Sequence, residues 1–166
     1  NVEWIGYPEG TTHVFCFAYY VQPPPTSGTI IVRKEVDAPP GTSETFRFDG
    51  NLSFNTGNNF DLKVVNNQPA QQQFYRAETK PTDVPWKVSE DLPPNWRLAD
   101  LTCTSQNGTS TISSSTASRE ASIRLAASDV VRCTYRNAWV PPNGPLTIRK
   151  ITHGNFGRFG FAVDSS

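Results

Sequence analysis

The sequence predicts an all-β protein, an antiparallel β-sandwich, and three observations support this fold class. Short segments with alternating apolar and polar residues recur along the 166-residue chain, separated by Gly, Pro and Asn turn signals. Thr, Ser and Asn account for 43 residues and Met is absent, a composition that favours strands and turns over long amphipathic helices. Hydrophobic residues make up 36% of the chain, which is enough to build a core.

The first half of the predicted sandwich contains four strands. Ile30–Val36 is rich in β-branched residues and ends before the turn signal Pro39-Pro40-Gly41. Thr45–Phe48 and Phe60–Val65 alternate apolar with polar residues on either side of an Asn- and Gly-rich turn. Gln71–Ala77 is the fourth predicted strand, although it carries fewer apolar residues.

The second half contains four more strands. Trp86–Glu90 alternates in polarity and ends before a Pro-Pro pair, and Arg97–Cys103 ends before a polar turn. Ala121–Leu125 and Val130–Trp139 are predicted to pair as a closing hairpin, because only a short polar turn separates them. The Ser- and Thr-rich tract Thr109–Ser118 is predicted to be an exposed loop.

Two Pro-rich stretches, residues 23–28 and 141–145, are predicted to be stiff linkers. The segments around them repeat. A strand-like segment with a Cys precedes each linker, and Gly28–Lys34 after the first linker returns as Pro145–Lys150 after the second. The period of about 115 residues is the size of a domain.

The repeat divides the chain into three parts. We predict that one complete domain occupies residues 28–140. The flanks are then fragments of neighbouring repeats: the last hairpin of a preceding repeat at residues 1–22, and the opening strands of a following repeat at residues 146–166.

Six segments of residues 28–140 follow one another in a recognisable order and spacing: Gly28–Lys34, Phe46-Arg47-Phe48, Trp86–Glu90, Pro94-Asn95-Trp96, Leu98–Cys103 and Ala121–Asn137. In this they resemble the prealbumin-like (SpaA-type, Cna B-like) tandem repeats of bacterial surface proteins. The resemblance implies an Ig-like, prealbumin-like sandwich that serves as an extracellular module holding a functional head away from the cell wall. Two departures are Asn95, where these repeats usually have Gly, and Trp86, where Tyr is usual.

Three polar residues fall on the apolar faces of predicted strands when the strands are read with a period of two. Lys34 in the first strand, Glu90 in the middle strand and Asn137 in the last strand each lie in phase with apolar residues of the same strand. Burying an unpaired ammonium or carboxylate in a core raises the free energy of the folded state by roughly several kcal/mol. A fold that buries these groups must therefore neutralise them.

Many repeats of the family that the chain resembles neutralise such a trio by forming an intramolecular isopeptide bond. By this resemblance, desolvation keeps both ionisable groups neutral, Lys34 Nζ attacks the side-chain carbonyl carbon of Asn137, and protonated Glu90 polarises that carbonyl and shuttles protons until ammonia leaves. This is single-turnover self-processing, so we predict that the protein is not an enzyme. The alternative is a Lys34 that snorkels to solvent beside Glu90, with an unrelated Asn137.

The chain has three Cys. In the family that it resembles, the positions of Cys103 and Cys133 commonly form a disulfide; the alternative is two buried free thiols. Cys16 is equivalent to Cys133 by repeat position and is expected to be an orphan half-cystine whose partner precedes residue 1. No metal site and no cofactor are predicted, because the Cys and His residues lack ligand spacing and no Gly-rich phosphate loop occurs.

Charge and hydropathy exclude some partners. The formal net charge is zero, which disfavours nucleic acid, and no apolar run approaches the roughly 18–20 residues that would span a bilayer. We therefore expect no membrane insertion in this segment. Exposed aromatic residues such as Phe74, Tyr75 and Trp139 could bind sugar, but core or interdomain packing is the preferred interpretation.

The preferred function is a structural stalk module of an extracellular adhesin or fibre on a bacterial cell surface or cell wall, stapled by the Lys34–Asn137 bond and the disulfide. Its partners are adjacent repeats or subunits of the same protein, with a host or surface ligand as a further candidate. One alternative is a subunit of a filament or pilus that exchanges strands between chains. The other is a ligand-binding head domain.

Overall fold

The computed structural model describes residues 26–142 continuously, together with position 10 and seven single positions between 149 and 160. Cys16 and the rest of the predicted hairpin at residues 1–22, Gly10 apart, lie outside the described residues. So do the predicted opening strands at residues 146–166, of which only single positions are described. The predicted complete domain lies within the continuous stretch.

Nine strands form this domain, and eight of them match the predicted strands to within a few residues at each end. Their bounds are β1 (Ser27–Asp37), β2 (Glu44–Gly50), β3 (Asn59–Val64), β4 (Ala70–Ala77), β5 (Trp86–Asp91), β6 (Trp96–Ser105), β7 (Thr111–Ser115), β8 (Glu120–Arg124) and β9 (Val130–Trp139).

The strands form two sheets, with the orders β4-β1-β9-β6 and β3-β2-β5-β8-β7. Every pairing is antiparallel except that of the first and last strands, β1 and β9, which run side by side in parallel. The inward faces of both sheets enclose one core in which Phe46, Phe48 and Tyr135 are completely buried. The predicted β-sandwich is thus confirmed, with the parallel β1–β9 pair as its one departure from an antiparallel pattern in the described stretch.

The predicted closing hairpin of the last two strands is wrong. β8 pairs with β5 and β7 in one sheet, whereas β9 pairs with β1 and β6 in the other, so the connection between them crosses the sandwich. Buried Asp129 anchors this crossing by accepting hydrogen bonds from the Ser105 hydroxyl (2.6 Å) and the Asn107 and Ser110 backbone N–H groups. Burial alone would raise the pKa of Asp129, but these hydrogen bonds outweigh it and hold that pKa far below its usual range.

The tract Thr109–Ser118 is mostly exposed, as predicted, but the prediction that it is a loop is wrong. Thr111–Ser115 forms β7, which pairs antiparallel with β8 at one end of the five-stranded sheet. Only Ile112 turns partly into the core, so the strand shows too little apolar alternation to be recognised in the sequence. Thr and Ile favour extended backbone, and pairing with β8 supplies the remaining stabilisation.

Asn95, the departure from the usual Gly, precedes β6 with a φ of 65°. This left-handed conformation is the reason that Gly is favoured at such a position. Asn is one of the few other residues that adopt it readily, because its short polar side chain can bond locally. The substitution therefore preserves the turn, and Trp96 directly after it packs into the core.

Candidate cross-link site

The β1–β9 pairing brings Lys34 and Asn137 to the same place on the inner face of one sheet. In the parallel register, Lys34 lies opposite Tyr135 and Val36 lies opposite Asn137. Asn137 is therefore displaced from Lys34 by two residues along the neighbouring strand, on the same face. A Lys side chain is long enough to cover this diagonal.

Glu90 reaches the same point from the opposite sheet. It lies in β5 and faces the core. Its Oε1 atom is 2.7 Å from Lys34 Nζ and accepts a hydrogen bond of 2.9 Å from Asn137 Nδ2. One carboxylate oxygen thus contacts both the amine and the amide nitrogen of the predicted trio.

All three side chains are removed from water. The exposed fractions are 0% for Lys34, 2% for Glu90 and 0% for Asn137. Desolvation by this burial lowers the pKa of Lys34 to about 8, even though the Glu90 carboxylate favours the charged amine. Burial likewise raises the pKa of Glu90, against the opposing effects of Lys34 and Asn137. Lys34 does not snorkel to solvent, in contrast to the alternative interpretation of the sequence.

Aromatic side chains enclose the trio. The Phe46 ring lies under the amine, with its centroid 4.3 Å from Lys34 Nζ, and its edge-to-face contact with Trp96 has a centroid distance of 5.2 Å. Tyr135 is completely buried beside the site and donates its hydroxyl hydrogen bond across the sandwich to the Val88 carbonyl (2.8 Å). These rings exclude water and strengthen the electrostatic interactions inside.

Two buried oxygens of the site, Glu90 Oε2 and Asn137 Oδ1, have no hydrogen-bond partner among the described residues. Lys34 Nζ makes a long contact of 3.4 Å with the Tyr135 carbonyl oxygen in addition to its contact with Glu90. Unsatisfied buried polar atoms cost roughly 1–3 kcal/mol each and are uncommon in folded proteins. The trio is therefore close-packed, but it is not a fully satisfied polar network.

The sequence placed all three residues on inward faces, and the structure brings them into contact. It differs from the predicted chemistry in one detail: Glu90 contacts the amide nitrogen of Asn137, whereas the prediction had it polarise the carbonyl. Sequence reasoning missed the roles of Phe46 and Tyr135. The alternation of the sequence shows that both side chains face the core. Which polar group each ring packs against depends on how the two sheets pack together.

A disulfide joins Cys103 and Cys133, which lie directly opposite each other in β6 and β9. The S–S distance is 2.03 Å and the Cα atoms are 4.0 Å apart. The bridge spans a sequence separation of 30, for which the loop-entropy relation gives a stabilisation of roughly 3–4 kcal/mol. Cys133 also lies on the same face of β9 as Asn137, so β9 carries one residue of the disulfide and one residue of the candidate cross-link.

Comparison with protein families gives a match over residues 30–139 to the prealbumin-like fold domain of the SpaA type. The match covers about two thirds of the chain and nearly the whole of the described sandwich. The chain belongs to this prealbumin-like domain family. The resemblance seen in the sequence is thereby confirmed.

Among solved structures, the chain is similar to the major pilin from Streptococcus pyogenes, with 12% identity, a TM-score of 0.34 and coverage of 69% of this chain and 48% of that chain. A point mutant of the same pilin matches with 12% identity, a TM-score of 0.33 and coverage of 69% and 49%. The chain thus spans about half the length of the solved chains that it matches. The comparison with curated proteins found no significant match.

The residues that the structure describes contain no helix that is long and apolar enough to cross a membrane. They also contain no group of three or more His, Cys, Asp or Glu side chains placed to hold a metal ion.

Proposed function

We propose that this domain is a non-enzymatic stalk module of an extracellular bacterial adhesin or fibre, and that it staples itself with an isopeptide bond between Lys34 and Asn137. The observation that carries the proposal is the position of Glu90 Oε1, which lies within hydrogen-bond distance of both Lys34 Nζ and Asn137 Nδ2. These are the nitrogen that would form the new bond and the nitrogen that would leave.

The chemistry balances within the trio. A proton passes from the Lys34 ammonium to Glu90, and the neutral Nζ attacks Asn137 Cγ to give a tetrahedral intermediate. Glu90 returns a proton to Nδ2, the Cγ–Nδ2 bond breaks, and ammonia leaves. Nζ gives its second proton to Glu90, and the amide that remains joins Nζ to Cγ. Glu90, which began as the carboxylate partner of the ammonium, ends as a neutral buried carboxylic acid. The depressed pKa of Lys34 and the raised pKa of Glu90 both favour the neutral pair that reacts.

The position of the bond suits a module under tension. β1 begins at Ser27 and β9 ends at Trp139, and the two strands lie side by side in parallel. Force that enters before Ser27 and leaves after Trp139 would therefore pull these neighbours in opposite directions. A covalent link between Lys34 and Asn137 would carry this force directly, while the strands between them would carry little.

Pulling experiments test this function. When the chain is held before Ser27 and after Trp139, we expect no large extension of the wild-type domain, because the bond shields the roughly 100 residues that it encloses. The variant Asn137→Ala should unfold and lengthen by about 350 Å under reducing conditions, at roughly 3.5 Å per residue. Single-molecule force spectroscopy measures both lengths. Full extension of the wild-type domain would contradict the stalk proposal.

The rate of bond formation is expected to pass through a maximum with pH. The reactive pair shares a single proton, which is lost above the Lys34 pKa of about 8. Below the raised pKa of Glu90 both groups are protonated, and the amine cannot attack. For the measurement, the chain is recovered unfolded from inclusion bodies and refolded at pH values between about 5 and 10. The loss of about 17 Da from its intact mass is then followed over time. A rate that keeps rising to the highest pH would show that Glu90 is not the proton carrier.

A further inference from the structure

The outer edge of β4 is a second candidate site, separate from the buried trio. Among the strands that the structure describes, β4 is the end strand of the four-stranded sheet and pairs with β1 alone. Its eight residues include three consecutive Gln residues and one charged residue, Arg76. Sheet edges usually carry several charges or a Pro that prevent another strand from pairing, so an edge this long and this neutral is open to strand addition.

The register shows which backbone groups of β4 face outward. The Thr29 N–H donates to the Asp129 carbonyl on the β9 side, so the backbone of Thr29 does not bond its β4 partner, Tyr75. By alternation, Gln71, Gln73 and Tyr75 direct their N–H and C=O groups away from the sheet. Within the described stretch, these N–H groups have no acceptor. The Tyr75 carbonyl is already occupied, because it accepts a bond of 2.6 Å from Arg76 Nη1.

A cleft of about 380 Å³ runs along this edge. Its one wall is formed by residues 72–76 of β4, and its other wall by residues 53–55 together with Phe60. Alternate side chains of a strand point to opposite faces, so a cleft lined by five consecutive residues lies along the strand edge and not over one face. Phe54 and Tyr75, which are 74% and 57% exposed, flank it.

Arg76 supplies a positive charge to this cleft. Its guanidinium carbon lies 4.2 Å from the centroid of the Phe54 ring and also faces Phe74 and Trp86. Among the described residues, no carboxylate forms an ion pair with it, and its buried Nε has no acceptor. A guanidinium held by aromatic rings with free N–H groups is suited to bind a carboxylate.

We propose that the β4 edge binds an extended peptide segment of another polypeptide, which adds as a strand alongside Gln71–Tyr75 and places a carboxylate against Arg76. The free N–H groups set the length of the pairing, and the occupied Tyr75 carbonyl ends it at Arg76. A second β4 strand is a poorer occupant because it offers no acidic residue to Arg76. This inference goes beyond the stalk proposal and does not depend on the cross-link.

Peptide titration of the ¹⁵N-labelled full chain tests the proposal. The probe is an acetylated heptapeptide amide of alternating Thr and Val with a central Glu, and its twin carries Gln in place of Glu. Main-chain hydrogen bonds give most of the affinity in strand addition, so a simple extended sequence is sufficient. We expect the Glu peptide to shift the amide resonances of Gln71, Gln73 and Tyr75 and to bind at least fivefold more tightly than its twin.

Three variants sharpen this test. Arg76→Gln should remove the difference between the peptides, whereas Arg97→Gln, which changes an exposed Arg on the edge strand β6, should preserve it. Gln73→Pro deletes an outward N–H that the domain itself does not use and should abolish binding; if it does not fold, Arg76→Gln still decides. Equal affinity for both peptides, or no shifts at β4, would overturn the proposal. So would shifts caused by glucuronate alone, which would make the cleft a site for acidic sugars.

Discussion

Glu90→Gln is expected to leave Lys34 and Asn137 unjoined. The substitution keeps the size of the side chain but removes its ability to take a proton from Lys34 Nζ and deliver one to Asn137 Nδ2, the two atoms that Glu90 Oε1 contacts at 2.7 and 2.9 Å. Without this carrier no group protonates Nδ2 in the tetrahedral intermediate, and an unprotonated amide nitrogen is a poor leaving group. Bond formation should therefore be lost completely and not merely slowed by a small factor.

Intact mass measures the outcome. After correction for the substitution, the Glu90→Gln chain should be heavier than the wild-type chain by about 17 Da, the mass of the ammonia that is retained. The matched control is Glu120→Gln, which breaks the exposed ion pair between Lys87 and Glu120 (3.0 Å) and should leave the wild-type mass deficit unchanged. A mass deficit that persists in Glu90→Gln would remove Glu90 from the mechanism.

Lys34→Met is expected to be the most destabilising single substitution at this site. It leaves the Glu90 carboxylate buried without a cation, which costs about 3–5 kcal/mol when one partner of a buried pair is removed. It also removes the covalent link, and closure of a loop of about 100 residues contributes roughly 4–5 kcal/mol in the loop-entropy relation. The first loss applies to a chain in which the bond has not formed, because Lys34 Nζ in the bonded chain is an uncharged amide nitrogen. The two losses are therefore alternatives and are not added.

Urea unfolding of the reduced chains, followed by fluorescence of the core Trp residues, gives the free energies. The double variant Lys34→Met with Glu90→Leu separates the two losses, because it removes the buried charge but does not restore the bond. It should recover part of the stability that Lys34→Met loses and remain below the wild type. If Lys34→Met unfolded at the wild-type urea concentration, neither the buried pair nor the bond would contribute to stability.

Period-two alternation was sufficient to predict the inward positions of Lys34, Glu90 and Asn137, because each lies in a strand with clear apolar neighbours. Alternation does not say which strands pair. The hairpin predicted for β8 and β9 is wrong because a short polar turn looks the same whether the chain reverses within a sheet or crosses to the other one. Asp129, which fixes the crossing, finds its donors 19 to 24 positions earlier in the chain.

The same limit explains the two other features that the sequence did not reveal. β7 is held by its pairing with β8 and has a single inward apolar residue, Ile112, so its own residues carry little signal. The open edge of β4 is a property of sheet order. Phe74 proved to be core and Tyr75 exposed, as their alternation requires. That Arg76 lines a cleft could not be predicted, because residues 53–55, from a distant part of the chain, form the other wall.

The most direct test of the central claim is the tryptic digest of the reduced, alkylated wild-type chain. Trypsin does not cleave after a Lys whose Nζ is acylated. The bond therefore predicts a branched peptide that joins Lys34–Arg47 to Asn137–Arg149 and is about 17 Da lighter than the two together. Recovery of linear Asn137–Arg149, together with cleavage after Lys34, would show that the residues are in contact but not joined.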